Sequence, residues 1–79
     1  MLRKVKLMWD FRGSDSEERA RRHEHHLEEY LEGKKLGYRM TGMKTESEDF
    51  SYSYMIVEED EMISFRDALR PTRGGWIEL

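Results

Sequence analysis

All three histidines of the chain lie within four positions, at His23, His25 and His26. Imidazole is the side chain that most often binds metals or transfers protons near neutral pH. His23 and Glu24 begin like the zinc-protease motif H-E-x-x-H, which needs its second histidine four residues after the first. Leu27 occupies that position instead, so the sequence does not predict a metalloprotease site.

The predicted helix around these histidines determines which of them can act together. Each residue of an α-helix turns by about 100°, and Leu27 and Leu31 belong to the apolar stripe that should be buried. His23 lies in this stripe and His26 at its flank, whereas His25 points away. His23 and His26 are therefore the candidate metal ligands, but a zinc site needs further ligands that the sequence does not mark. We expect structural histidines without a metal or other cofactor. His23, on the apolar stripe, should either have a hydrogen-bond partner or carry a depressed pKa.

Hydrophobic periodicity in the first half of the chain predicts a strand and then the helix of the histidines. Residues 2–11 alternate between apolar and polar side chains, as in a half-buried strand. Ser14 and Glu17 have the spacing of a capping box, in which each side chain satisfies a free backbone donor. We therefore expect a helix over about 15–32.

The second half of the chain predicts a hairpin followed by another helix. Residues 35–44 and 49–58 alternate like two antiparallel strands, and residues 58–71 show helical spacing up to a proline. Residues 70–79 form either a loose tail or a short edge strand. The order β-α-β-β-α, with a final β, predicts an α+β fold of the ferredoxin-like split βαβ type. Both helices should lie on one face of an antiparallel sheet, and residues 1–79 should form a single domain.

Hairpin geometry predicts which residues of the sheet face the helices. A loop centred near Ser47 places Met40 opposite Tyr54 and Gly42 opposite Tyr52. The even-numbered side chains of the hairpin are strongly apolar, so they should lie under the helices. The opposite, open face then carries a mixture of methionines, hydroxyls and charges, and its candidate binding residues are Met8, Arg39, Met43 and Met55. Flexible thioethers adapt to a partner surface, so we expect a homodimer through this face.

The strand FSYSYMIV raises the possibility of RNA binding, since it alternates aromatic and small residues as base-stacking strands do. The register above, however, directs Tyr52 and Tyr54 towards the helices, where no base can reach them. Glu48 and Asp49 stand where such strands carry a basic residue and a glycine. The formal net charge of −3 also disfavours a polyanion, and we expect no nucleic-acid partner.

Composition excludes several other classes of protein. The chain has no cysteine, which excludes disulfides and thiolate metal sites. No apolar run approaches the roughly 20 residues of a membrane span, and the N-terminal residues lack the pattern of a signal peptide. We therefore expect a cytoplasmic protein without a membrane partner. Charged residues make up 39% of the chain, against about 25% in an average domain, so some faces must stay in water or be covered by a partner.

These patterns favour a small, non-enzymatic binding or assembly module that associates with itself. The alternative is a small dimeric α+β-barrel enzyme, with a pocket between sheet and helices. In that enzyme His23 and Asp10 would act as the acid and base groups. The sequence itself names no ligand, substrate or pathway for either function.

Overall fold

The computed structural model describes residues 3–33 and 40–77. Its elements follow the predicted order, and the fourth strand is present, so the α+β class is confirmed. The elements are β1 (Lys4–Arg12), α1 (Ser16–Gly33), β2 (Met40–Ser47), β3 (Phe50–Glu58), a single 3-10 turn (Glu59–Glu61), α2 (Met62–Leu69) and β4 (Arg73–Ile77).

The four strands form one antiparallel sheet in the order β2-β3-β1-β4. β1 and β3 occupy the centre, and β2 and β4 are the edges. Within the described residues, no helix is long and apolar enough to cross a membrane.

The turn between β1 and α1 depends on a glycine. Gly13 has a φ of 115°, a backbone conformation that glycine adopts without a steric penalty. The Gly13 carbonyl accepts a hydrogen bond from the Ser16 amide (3.0 Å), and the Asp15 carbonyl accepts the Arg19 amide (3.0 Å). The helix therefore begins beside Asp15, one residue after the predicted cap at Ser14.

The core lies in a single layer between the sheet and both helices. Trp9 donates a hydrogen bond from Nε1 to the carbonyl oxygen of Leu69 (2.8 Å), which fixes the end of α2 against β1. Burial of these apolar side chains supplies the main driving force for folding. The buried core residues are Val5, Leu7, Trp9, Leu27, Leu31, Met55, Val57 and Phe65.

The predicted orientation of β3 is wrong. Val5 pairs with Val57 and Leu7 pairs with Met55, so the odd-numbered residues of both strands share the helix-covered face. The apolar alternation of β1 fixes which face is buried, and pairing with β1 forces the odd residues of β3 onto it. The even-numbered residues of β3, Tyr52 among them, consequently lie on the face that has no helix.

The hairpin register also differs from the prediction. Met40 pairs with Ile56 and Gly42 pairs with Tyr54, which is a shift of two residues. Even-numbered residues of β2 therefore still pair with even-numbered residues of β3. The shift accompanies an irregularity between Thr45 and Ser47, which inserts an extra residue into β2 as a β-bulge does.

Candidate functional site

The face of the sheet opposite the helices, called here the helix-free face, carries the most concentrated chemistry of the described residues. It is built from the even-numbered residues of β1 and β3, the even-numbered residues of β2 that precede its irregularity, and the odd-numbered residues of β4. These are Lys4, Lys6, Met8, Asp10, Arg12, Met40, Gly42, Lys44, Phe50, Tyr52, Tyr54, Ile56, Glu58, Arg73, Gly75 and Ile77.

Three aromatic residues of β3 form a row along the middle of this face. The ring centroids of Phe50 and Tyr52 are 6.3 Å apart, as are those of Tyr52 and Tyr54. Lys6 Nζ lies 4.4 Å from the Tyr54 centroid and 5.3 Å from that of Tyr52. Arg12 lies 4.4 Å from the Phe50 centroid. Such cation–π contacts hold charged groups against the aromatic row.

Most charges on the helix-free face are paired within the chain. Asp10 accepts hydrogen bonds from Arg73 Nε at 2.9 and 3.1 Å, and Lys4 binds Glu58 at 2.5 Å. Among the residues that the structure describes, Lys6 and Arg12 form no ion pair. These two cations remain available to an anion from another molecule.

Beside the aromatic row lies an apolar band that consists of Met8, Met40, Tyr54 and Ile56. Met40 pairs with Ile56 across β2 and β3, and Met8 pairs with Tyr54 across β1 and β3. Met40 is 60% exposed, whereas the other three are half-buried. The band thus forms a continuous apolar surface across three strands.

The predicted binding residues fall on different sides of the sheet. Met8 lies on the helix-free face, as expected. Met55 is fully buried in the core, and Met43 pairs with Ser53 on the helix-covered side, so both placements on the open face are wrong. The cause is the orientation of β3: its odd-numbered residues face the helices, and so do the residues of β2 that pair with them. Arg39 lies outside the described residues.

His23 is half-buried and faces the sheet, as its helical spacing predicts. Its Nδ1 forms a 2.7 Å hydrogen bond with Ser53 Oγ, so one of the two expected features, a hydrogen-bond partner, is confirmed. The ring lies 5.0 Å from the Trp9 ring and 5.5 Å from the Phe11 ring. Burial lowers the pKa of His23, and the neighbouring His26 lowers that pKa further.

Buried hydroxyls continue from His23 along β3. Ser51 and Ser53 are fully buried beneath α1. Ser51 lies 3.3 Å from the Ser16 hydroxyl and donates a hydrogen bond to Thr45 Oγ1 at 3.2 Å. Short side chains with internal partners let the helix approach the sheet without leaving polar atoms unpaired.

The prediction that one pocket holds both His23 and Asp10 is wrong. Asp10 binds Arg73 on the helix-free face, and His23 lies on the other side of the sheet, between Trp9 and Phe11. Adjacent residues of a strand point to opposite faces, so the carboxylate beside Trp9 cannot reach a ring that contacts Trp9. The acid–base pair of the alternative enzyme is therefore not assembled.

His23 and His26 do not gain the further ligand that a zinc site needs. Within residues 3–33 and 40–77, no group of three or more His, Asp or Glu side chains could hold a metal ion. His26 is exposed, and Nδ1 of His23 already contacts Ser53. The donor set therefore does not fit a structural zinc ion.

Sequence reasoning missed two features of the site. The first is the aromatic row, which only the pairing with β1 exposes. The second is a groove between α2 and β4, whose sequence signal was the pair Gly74 and Gly75 followed by Trp76. Two adjacent glycines in a strand leave its surface bare on both faces.

In comparisons with known proteins, no family model matches the chain, and no curated protein or solved structure matches it significantly. Its function must therefore be argued from its own residues.

Proposed function

We propose that this chain is a small, non-enzymatic assembly module that forms a homodimer through the helix-free face. The proposal includes the ferredoxin-like topology, which the strand order β2-β3-β1-β4 supports. In a split βαβ unit, the two strands joined by a helix flank a third strand, as β1 and β2 flank β3. A cytoplasmic location belongs to the same proposal and rests on the absence of cysteine.

The exposure of the apolar band is the observation that carries this function. Met40 leaves 60% of its surface in water and continues through strand pairing into Ile56, Tyr54 and Met8. Contiguous exposed apolar surface marks interaction sites in small proteins. A second copy supplies the same band, and a two-fold axis through it makes the contact self-complementary.

The charges around the band are compatible with this contact. Asp10 neutralises Arg73, and Glu58 neutralises Lys4, within each copy. Lys6 lies with its ammonium group over the Tyr54 ring, so its aliphatic stem adds to the apolar surface. Among the described residues, the charges that the partner copy meets unpaired are those of Lys6 and Arg12, and both lie against aromatic rings.

Replacement of Met40 by glutamate tests the proposal. We expect the wild-type protein to sediment as a dimer at tens of micromolar and Met40→Glu to sediment as a monomer, because two carboxylates would be desolvated at the interface. Ile63→Glu is the matched control, since Ile63 is 57% exposed but lies on α2, on the other side of the sheet. Circular dichroism of each variant verifies the fold. A wild-type protein that is strictly monomeric, or an equal effect of both substitutions, would exclude the proposed interface.

Binding of single-stranded nucleic acid is a second candidate, favoured by the aromatic row and the cations Lys6 and Arg12. Bases stack on aromatic rings while phosphates bind cations in such sites. The geometry favours self-association, however, because Tyr52 in the centre of the row is only 5% exposed. Fluorescence anisotropy with labelled oligouridine distinguishes the two functions. Nucleic-acid binding predicts an affinity that falls with salt and is lost in Lys6→Gln but kept in Met40→Glu.

A further inference from the structure

A groove of about 300 Å³ lies between α2 and β4, on the helix-covered side of the sheet. This volume is at the lower end of the range for small-molecule pockets. The groove is separate from the helix-free face, because the sheet lies between them. Its lining includes the side chains of Val5, Leu7, Met62, Arg66 and Trp76, together with Gly74 and Gly75.

Gly74 keeps the floor of the groove open. It pairs with Leu7, and a Cβ at this position would make only ordinary contacts, the nearest at 3.7 Å from a Leu7 methyl group. Neither crowding nor a left-handed backbone therefore requires glycine here. The missing side chain leaves space that Trp76, 54% exposed, borders from the same face of β4.

The charges of the groove have one sign. In a chain with 17 acidic residues, the described lining contains two arginines and no carboxylate. Arg73 directs its guanidinium group to Asp10 on the helix-free face. Arg66 is exposed, and its contact with the neighbouring Asp67 is long, at 3.4 Å. Of the two lining arginines, Arg66 is therefore the one that an anion in the groove would meet.

We propose that this groove binds a small amphiphilic carboxylate of the medium-chain fatty-acid class. The hydrocarbon chain would displace water from Met62 and Trp76 and lie against Val5 and Leu7, and each methylene that it buries gains free energy. The carboxylate would accept hydrogen bonds from the guanidinium group of Arg66, whose planar donors match its two oxygens.

Titration with octanoate, followed by backbone amide NMR shifts and tryptophan fluorescence, tests this site. We expect shifts concentrated at Gly74, Trp76 and α2. Gly74→Val should weaken octanoate binding at least about tenfold, because its side chain fills the groove. Gly75→Val is the matched control: the Gly75 backbone also lines the groove, but a Cβ there would point to the helix-free face, with Met8 Cε at 4.0 Å. This variant should bind octanoate like the wild type.

A neutral analogue isolates the role of Arg66. Arg66→Gln should weaken octanoate binding several-fold and leave the weaker binding of octanol unchanged, because only the carboxylate loses its partner. The proposal is overturned if octanoate causes no saturable shift at Gly74, or if Gly74→Val and Gly75→Val bind it equally. It is also overturned if sedimentation shows that Gly74→Val alone changes the oligomeric state, since the groove would then be a contact between copies.

Discussion

His23 is held in an environment that selects its neutral form. The ring is packed against Trp9 and Phe11, where the charged imidazolium loses hydration. The 2.7 Å contact with Ser53 suits a neutral imidazole, whose Nδ1 either donates or accepts a hydrogen bond. His23 therefore has a structural role under α1, and the depressed pKa makes the stability of the fold depend on pH.

We expect the protein to lose stability as the pH falls below the ordinary histidine pKa of 6.5. The pKa of His23 is lower in the folded protein than in the unfolded chain, so the unfolded chain binds more protons in this range. The contribution of neutral His23 to the free energy of unfolding is fully present above pH 6.5 and declines below it. It stops changing once the pH is below the pKa of His23 in the folded protein. The His23→Gln variant should show a flatter dependence of its free energy of unfolding on pH in urea titrations.

His25 supplies the control for this experiment. It is exposed on the same helix, and its Nε2 lies 3.0 Å from Glu29 Oε1. The His25→Gln variant should keep the steep decline of the wild type around the histidine range. A wild-type slope in His23→Gln would show that other groups cause the acid sensitivity.

At the scale of elements, the β2–β3 hairpin is fixed by a tyrosine that covers a glycine. A Cβ at Gly42 would lie 2.5 Å from Cζ of Tyr54 and 2.8 Å from its Cε2, so the ring rests directly on the glycine backbone. This close contact protects a strand pair at the edge of the sheet. It also keeps Tyr54 in place within the apolar band.

We expect Gly42→Ala to lower the free energy of unfolding by about 1–2 kcal/mol, because the ring of Tyr54 must move away from the new methyl group. Gly33→Ala is the control, since nothing lies within 4 Å of a Cβ there and alanine favours the helix. Chemical unfolding of both variants measures the difference. In a Tyr54→Ala background the cost of Gly42→Ala should disappear, and its persistence would contradict the assigned contact.

At the scale of the whole molecule, the two sides of the sheet serve different purposes. The helix-covered side buries the core, and the helix-free side carries the apolar band, the aromatic row and the internally paired charges. A domain of this size has a small core, so burial of the band against a second copy, as we propose, would add a substantial fraction to its stability.

The thermal midpoint should consequently rise with protein concentration, because association stabilises the folded state by mass action. Each kcal/mol gained corresponds to about 4–8 °C for a domain of this size. Differential scanning fluorimetry over a wide concentration range measures the shift. We expect the shift in Ile63→Glu and none in Met40→Glu; a constant midpoint in the wild type would contradict dimerisation.

The sequence alone determined the elements and the buried side of two of them. β1 has only one apolar face, and α1 has only one apolar stripe, so local periodicity defined the positions of Trp9, Leu27 and His23 relative to the core. The edge strand β4 stayed ambiguous because its short segment, with two glycines, has little periodicity of its own.

Only the tertiary structure decided the orientation of β3, and with it the site. From its own residues, either face of β3 could be buried against the helices. The tyrosine face is the more apolar, but the serine face has small side chains that let α1 approach and carries the partner of His23. Its pairing with β1, whose residues lie 38 to 54 positions earlier in the chain, selected the second arrangement. The groove depends in the same way on Val5 and Trp76, which are distant in sequence. Periodicity describes a segment's own two faces, whereas the choice between them is made by the free energy of packing against other elements.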